Sequence, residues 1–401
     1  MKHVCNFCFD IVLLFLDIFS PDFQAKCSWY DQDSLQSTRT LFWKMVKNGS
    51  HLDAETLAML QNKAISITLP VVYTMVAIIS IPGNFFSLWV LCWHIKPKTP
   101  SVIFMINLSI TDLLLACCFP FQIFYHIQRN HWIFGKTLCS LVTVMFYSNM
   151  YSSILTMTCI SIERYMGVVY PMKLIKWRRK RYALGACVIM WIFLLLAFYP
   201  LESTDLTYEV KELGIITCFD VLKWEMLPNF AAWVAFLLTL FVVLFLIPFI
   251  VTVGCYIGTI RKLIQTSSRY GNKQKTRSIY LAIIVLSVFI TCFAPNNFIL
   301  LAHMIVRLFY EGSLYPAYKL TLCLSCLNNC IDPFIYYFAS KEFYQKFMQV
   351  FRPKVPLSDS LETRRESLFS GRTMSVRSMS SGPMDGLEGV KICLQRQASV
   401  F

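Results

Sequence analysis

Charge is what this chain has least of. Only 15% of its 401 residues are Asp, Glu, Lys or Arg, against roughly 25% in an ordinary soluble domain, while 56% are apolar. That supply cannot cover a water-soluble surface. The groupings that chemistry requires are also scarce. His126 and His303 stand alone, with no partner at metal-ligand spacing. No nucleophile has a base beside it, so a membrane enzyme is excluded and no catalytic cofactor is expected. No internal repeat divides the chain into related halves, as a secondary transporter would require. A transporter nevertheless stays as the rival from another class, because helix-breaking prolines serve both transporters and receptors.

What is present is apolar sequence in long blocks. A helix needs about 20 residues to cross a hydrocarbon core. Seven blocks suffice, at Ile65 to Trp93, Ser101 to His126, Lys136 to Tyr170, Tyr182 to Pro200, Leu227 to Ile260, Ile279 to Phe309 and Tyr315 to Phe338. The expected fold is an all-α seven-helix membrane bundle over residues 65–339, followed by a short amphipathic helix 8 at 340–351.

The formal charge of +14 could point to nucleic acid, but the basic residues sit in alternate loops rather than on one face, so no nucleic-acid partner is expected. Lys96 and Lys98 follow the first block. Lys173, Lys176, Arg178, Arg179, Lys180 and Arg181 follow the third, and Arg261, Lys262, Arg269, Lys273, Lys275 and Arg277 follow the fifth. The loop from Leu201 to Met226 is instead acidic. Positive loops stay inside, which puts the amino terminus outside and the carboxyl terminus inside a plasma membrane whose lipids surround the bundle.

Most of the sixteen cysteines lie inside apolar blocks and read as small buried hydrophobes. Cys139 and Cys218 both fall on the oxidising side, so a disulfide between them is permitted. Residues 1–44 differ in character and read as an upstream extension or a signal-like segment. Residues 45–64 form an outer segment with a glycosylation acceptor at Asn48. From 352 to 401 the chain fills with Ser, Arg, Gly and Pro, the composition of a disordered regulatory tail. Ser367 and Ser399 follow arginines as basophilic kinases prefer, and Ser399-Val400-Phe401 could add as a strand to a PDZ domain.

Polar residues inside the blocks are the sharpest signal, because an acid or base at a membrane centre costs at least ~2.5 kcal/mol. Asn84, Asp112, Asn149, Ser153, Asn328, Asn329 and Asp332 all lie in apolar surroundings. Asn149 with Ser153, and Asn328 with Asp332, are four apart and share helix faces, so oxygens can converge on Asp112. A small hard cation, an allosteric sodium ion, suits such a set. The alternative is interhelical hydrogen bonding without an ion. Pro82, Pro120, Pro200, Pro248, Pro295 and Pro333 interrupt the blocks and permit kinks.

These residues sit in strings that resemble the rhodopsin-like G-protein-coupled receptors: Gly83-Asn84, Asn107-Leu108-Ser109 with Asp112, Glu163-Arg164-Tyr165, Trp191, Pro248 with Tyr256, Cys292-Phe293-Ala294-Pro295, and Asp332-Pro333-Phe334-Ile335-Tyr336. The likeness covers about residues 60 to 351. Phe293 and Asp332, the run from Tyr318 to Asn328, and the strings 293–298 and 366–369 are similar to the P-two-Y purinoceptor family. The resemblance implies a seven-helix receptor that binds an agonist and activates a heterotrimeric G protein, with arrestin and receptor kinases as further partners. It assigns Phe293, Pro295, Tyr256 and Tyr336 to the switch, and Glu163, Arg164, Tyr165 and Met172 to G-protein coupling. By the same likeness the twelve/thirteen class of G protein comes first and the inhibitory class second. A photopigment is excluded, since Cys326 occupies the position of the retinal lysine.

Departures from the family pattern shape the ligand expectation. Leu322, Asn297 and Leu300 stand where nucleotide-binding members carry basic or histidine residues, so a nucleotide agonist is the alternative rather than the first choice. The remaining cavity is expected among Tyr125, Phe146, Tyr147, Met150, Asn297 and Phe298, with His303, Arg307 and Lys319 near its rim. Apolar walls with a few cations suit a small-molecule agonist of lipid-like build with an anionic head.

Overall fold

The computed structural model describes residues 54–170, 180–220, 230–267, 273–309 and 314–339, together with Phe343 and 347–349. Seven helical spans form the bundle. The first, Lys63–Trp89, follows a short helix at Ala54–Gln61 and continues into a widened π turn at Val90–His94. The second is broken into Pro100–Ala116 and Phe119–Ile127. Pro120 explains the break, because it offers no N–H to the carbonyl four residues back. The third, Lys136–Val169, begins after Gly135, whose φ of 81° is open only to a residue without a side chain. The fourth is Lys180–Glu202.

The fifth span comprises Phe230–Thr239, a π turn at Leu240–Leu246 and Ile247–Ser267. Pro248 follows the widened turn, a familiar cause of such bulges. The sixth, Lys273–Phe309, contains Pro295, and the seventh, Tyr315–Ala339, contains Pro333. Among the described residues, six of the seven are long and apolar enough to cross a membrane. Lys319, Asn328, Asn329 and Asp332 lower the mean hydropathy of the seventh, whose polar face turns inward.

Between the fourth and fifth spans lies an antiparallel hairpin, β1 Thr207–Val210 and β2 Ile215–Cys218, with Thr207 opposite Cys218. The bundle therefore has a hairpin end and an opposite, basic end, where Lys180, Arg181, Arg261 and Lys262 are exposed. Large apolar side chains such as Ile67, Val71, Phe85, Ile189, Leu196 and Ile250 are also exposed around the middle. Only a lipid environment makes that arrangement favourable.

Close helix contact relies on small residues. A Cβ added to Gly83 would stand 3.0 Å from Pro333 Cγ, so glycine is what lets the first and seventh spans approach. Asn84 Nδ2 crosses that contact to donate to Asn329 O at 2.9 Å. At the basic end Lys98 Nζ donates to the Leu91 and Cys92 carbonyls, which the end of the first span leaves unsatisfied. The rings of Phe343 and Phe347 meet Phe86 edge-on at 5.8 and 5.7 Å.

Asn48, Met172, Ser367 and Ser399 lie outside the described residues, as do residues 1–44 and the carboxyl tail. The side chains of Arg307 and Tyr336 are likewise outside them, although both residues are helical.

Candidate ligand site and switch core

The disulfide joins Cys139, at the start of the third span, to Cys218, at the end of β2, with Cα atoms 5.7 Å apart. The next residue, Phe219, adopts the left-handed conformation at φ 58°. Its N–H donates to Leu206 O at 3.0 Å, and its carbonyl accepts from Tyr315 Oη at 2.6 Å. This kink turns Asp220 into the bundle, where it is 2% exposed.

Asp220 Oδ2 accepts from Tyr125 Oη at 2.5 Å, and Oδ1 forms an ion pair with Lys319 Nζ of the seventh span. Tyr315 Oη lies 3.5 Å from the same oxygen, and the Lys319 ammonium is 5.9 Å from the Tyr315 ring. Burial would push the Asp220 carboxyl up, but the Lys319 ammonium, His126 and the hydrogen bonds from Lys319 and Tyr125 outweigh it and hold it below the ordinary carboxylate range. A narrow cleft abuts the pair, lined by Met59, Ile65, Leu69, His126 and Asn130.

Beneath the pair lies a layer of aromatic and amide groups. Tyr318 Oη donates to Tyr147 Oη at 3.0 Å, Tyr151 Oη to Asn297 Oδ1 at 3.3 Å, and Asn297 Nδ2 to Phe293 O at 2.9 Å. Asn296 Nδ2 reaches Met150 Sδ at 3.3 Å, and Phe146 meets Tyr73 edge-on at 6.1 Å. Tyr125, Phe146, Tyr147, Met150, Asn297, His303 and Lys319 are thus all buried at the hairpin end of the bundle.

Two details differ from the sequence expectation. Lys319 is not a rim cation facing solvent, since its side chain is 11% exposed and its charge is already answered by Asp220. Phe298 is 45% exposed and packs against Phe241, Phe245 and Phe249 on the outer seam between the fifth and sixth spans, facing away from the Lys319 cavity. His303 Nδ1 accepts the N–H of Leu314 at 3.0 Å, which ties the sixth span to the start of the seventh. Sequence reasoning did not single out Asp220, Tyr315 and Tyr318. A signal for Asp220 existed: a lysine within a spanning helix requires a buried counter-ion, and an acid two residues beyond a pinned cysteine is carried to the bundle mouth.

Midway along the bundle, Asn149 Nδ2 donates to Asp112 Oδ1 at 3.1 Å and Asn328 Nδ2 to Asp332 Oδ2 at 2.9 Å. Asp112 Oδ2, Ser153 Oγ, Asn328 Oδ1 and Asp332 Oδ1 have no hydrogen-bond partner among the described residues. Orphaned buried oxygens on two carboxylates, an amide and a hydroxyl fit a hard monovalent cation. Nearby, Asn107 Nδ2 donates to Thr156 Oγ1 and Asn107 Oδ1 accepts from Trp191 Nε1, both at 3.0 Å.

Toward the basic end Phe293 is fully buried against Phe289, with ring centroids 5.6 Å apart, one residue before the turn that carries Pro295. Glu163 accepts from Ser101 Oγ at 2.6 Å. Arg164, Tyr256, Val285, Asp332 and Ile335 help to line a narrow cavity that runs from the basic end to the carboxylate cluster. Tyr165 presses on the fifth span, where a Cβ at Gly258 would fall 2.6 Å from its ring.

A folded bundle with these residues in these places defines a class, and comparison with known proteins gives the same one. Residues 83–336 match the family described as 7 transmembrane receptor (rhodopsin family), and the chain belongs to that family. It is a multi-pass membrane receptor of the G-protein-coupled kind and not an enzyme. It is 60% identical to the human S-geranylgeranyl-glutathione receptor P2RY8 over 357 residues, 89% of this chain and 99% of that protein. It is also 37% identical to proteinase-activated receptor 2 of Bos taurus over 83% of this chain and 86% of the relative, and 38% identical to proteinase-activated receptor 1 of Xenopus laevis over 68% and 64%.

Proposed function

We propose that this receptor detects an extracellular amphipath, a molecule with an apolar prenyl-like tail and a small charged head, and relays its presence to a G protein of the twelve/thirteen class, with the inhibitory class second. The hairpin end faces the outside and the basic end the cytoplasm, as the loop charges require. The observation that carries the ligand class is the buried Lys319–Asp220 pair beside an apolar-walled cavity. High similarity to a receptor named for S-geranylgeranyl-glutathione supports the same chemistry. A nucleotide agonist is the poorer reading, because a triphosphate needs several Arg or Lys donors and here the buried lysine arrives with its own acid.

Signalling follows from differential binding. Agonist favours one packing of the helices over the other, and only that difference moves the equilibrium. The sixth span bends at Pro295 with Phe293 as its buried pivot. Asp112, Asn149, Ser153, Asn328 and Asp332 would hold a sodium ion, whose charge would stabilise the packing that draws their oxygens together. Arg164 and Tyr256, which share the cavity at the basic end, and Tyr336 reorganise when the sixth span swings, and Glu163, Tyr165 and Met172 meet the G protein. Arrestin, receptor kinases and a PDZ protein act on the cytoplasmic face and tail.

A G-protein activation panel in cells expressing the chain tests this reading, with S-geranylgeranyl-glutathione, unconjugated glutathione and nucleotides as probes. The conjugate should activate and the others should not, and Arg164→Ala should abolish the response at unchanged surface expression. Activation by nucleotides but not by the conjugate would reverse the assignment.

A further inference from the structure

Lys319 and Asp220 form a site with two charges of opposite sign, and that restricts the head group more tightly than the word anionic does. Consider a head carrying only a carboxylate. If that carboxylate takes Asp220's place on Lys319, it strips the cation from an aspartate whose side chain is 2% exposed. The displaced aspartate would keep the Tyr125 hydroxyl at 2.5 Å and the more distant Tyr315 hydroxyl, but no cation. A buried charge stripped of its partner is strongly unfavourable, so such a ligand would lose through Asp220 what it gained at Lys319. A head carrying only an ammonium meets the mirror-image problem at Lys319.

We propose that the head group is a zwitterion, a free α-amino-acid terminus that inserts between the two residues. Its carboxylate accepts from Lys319 Nζ while its ammonium donates to Asp220. One ion pair is exchanged for two, and no charge is left uncompensated. Met59, Ile65 and Leu69 give the same cavity an apolar wall on the side of the first span, and His126 and Asn130 supply further polar contacts at its edge. The ligand class is therefore a molecule with an apolar tail that retains a free amino and a free carboxyl group on one carbon. This rests on the amphipath reading above and narrows it.

The test uses the full chain in cells, with S-geranylgeranyl-glutathione and two derivatives, one acetylated on the γ-glutamyl amine and one amidated at the γ-glutamyl α-carboxylate. On the wild-type receptor each derivative should lose about 10- to 100-fold in potency, the range for a charge-assisted hydrogen bond. Asp220→Asn, checked for surface expression, should erase the distinction between the free amine and the acetylated probe while still penalising the amide. Equal potency of the parent and the acetylated probe on the wild type would overturn the zwitterion and leave the amphipath reading standing. Silence toward all three at normal surface expression would overturn the amphipath reading itself.

Discussion

Replacing Lys319 with Met would remove the cation from Asp220 while keeping an apolar stem of similar length. The side chains of the pair are 11% and 2% exposed, so solvent cannot take over the role of the lost partner. Breaking a buried ion pair from one side costs about 3 to 5 kcal/mol. Asp220 retains the Tyr125 and Tyr315 hydroxyls, which places the expected loss near the lower end, about 3 kcal/mol. By the scaling of soluble domains of comparable length, that lowers the melting midpoint by on the order of 5 to 10 °C. Asp220→Asn should cost less, because its amide still accepts from Tyr125. The double variant should be more stable than the sum of the singles requires, by about 2 kcal/mol, since it leaves no orphaned charge. Thermal denaturation in detergent, followed by a thiol-reactive dye, reads this directly, for Cys292, Cys323, Cys326 and Cys330 are buried and become reactive only on unfolding. Strictly additive single effects, or a Lys319→Met midpoint equal to that of the wild type, would refute the reasoning.

Asp112→Ala should abolish any sodium-dependent reduction of agonist affinity, measured by radioligand competition in sodium and in a large organic cation; a persisting sodium effect would place the ion elsewhere. Gly258→Ala should cost about 1 to 3 kcal/mol, because the new methyl would lie 2.6 Å from the Tyr165 ring and one of them must move; combining it with Tyr165→Leu should restore the melting midpoint. Asp205 pairs with Lys136 at 2.6 Å and accepts from Thr207. Burial raises its carboxyl slightly, but those bonds prevail and lower it to about 2. A depressed carboxylate stabilises the fold above its unfolded value near pH 4, and the contribution disappears as pH falls toward 2. Asp205→Asn should therefore lower the melting midpoint at pH 7 and not at pH 2, by no more than about 1 kcal/mol, since the pair is solvent-exposed.

The spans were legible because a membrane imposes a length and a composition that few other structures share. Asp112, Asn149, Asn328 and Asp332 stood out for a related reason, being costly where they are unless they meet one another. What could not be read was any contact that depends on how the hairpin folds back. Asp220 looked like one acid among six in an acidic loop, and Lys319 like a cation at a rim, until the kink at Phe219 brought them together. Phe298 was misleading in the opposite way. An aromatic one residue from Asn297 is rotated by about 100° around the helix, enough to turn it from the bundle interior to the outer seam. Breaks within spans were visible only as prolines, and of the six expected to permit kinks Pro120 accompanies a full break, between Ala116 and Phe119.

Phe219 occupies a torsional basin that residues with side chains normally avoid, at a penalty of about 1 to 3 kcal/mol. It persists there because a covalent tether lies immediately before it and a lysine clasps the residue immediately after. Undo the clasp, and the backbone at this point gains by relaxing. The loop thus behaves as a cocked catch over the bundle mouth, held shut for as long as Lys319 and Asp220 stay joined.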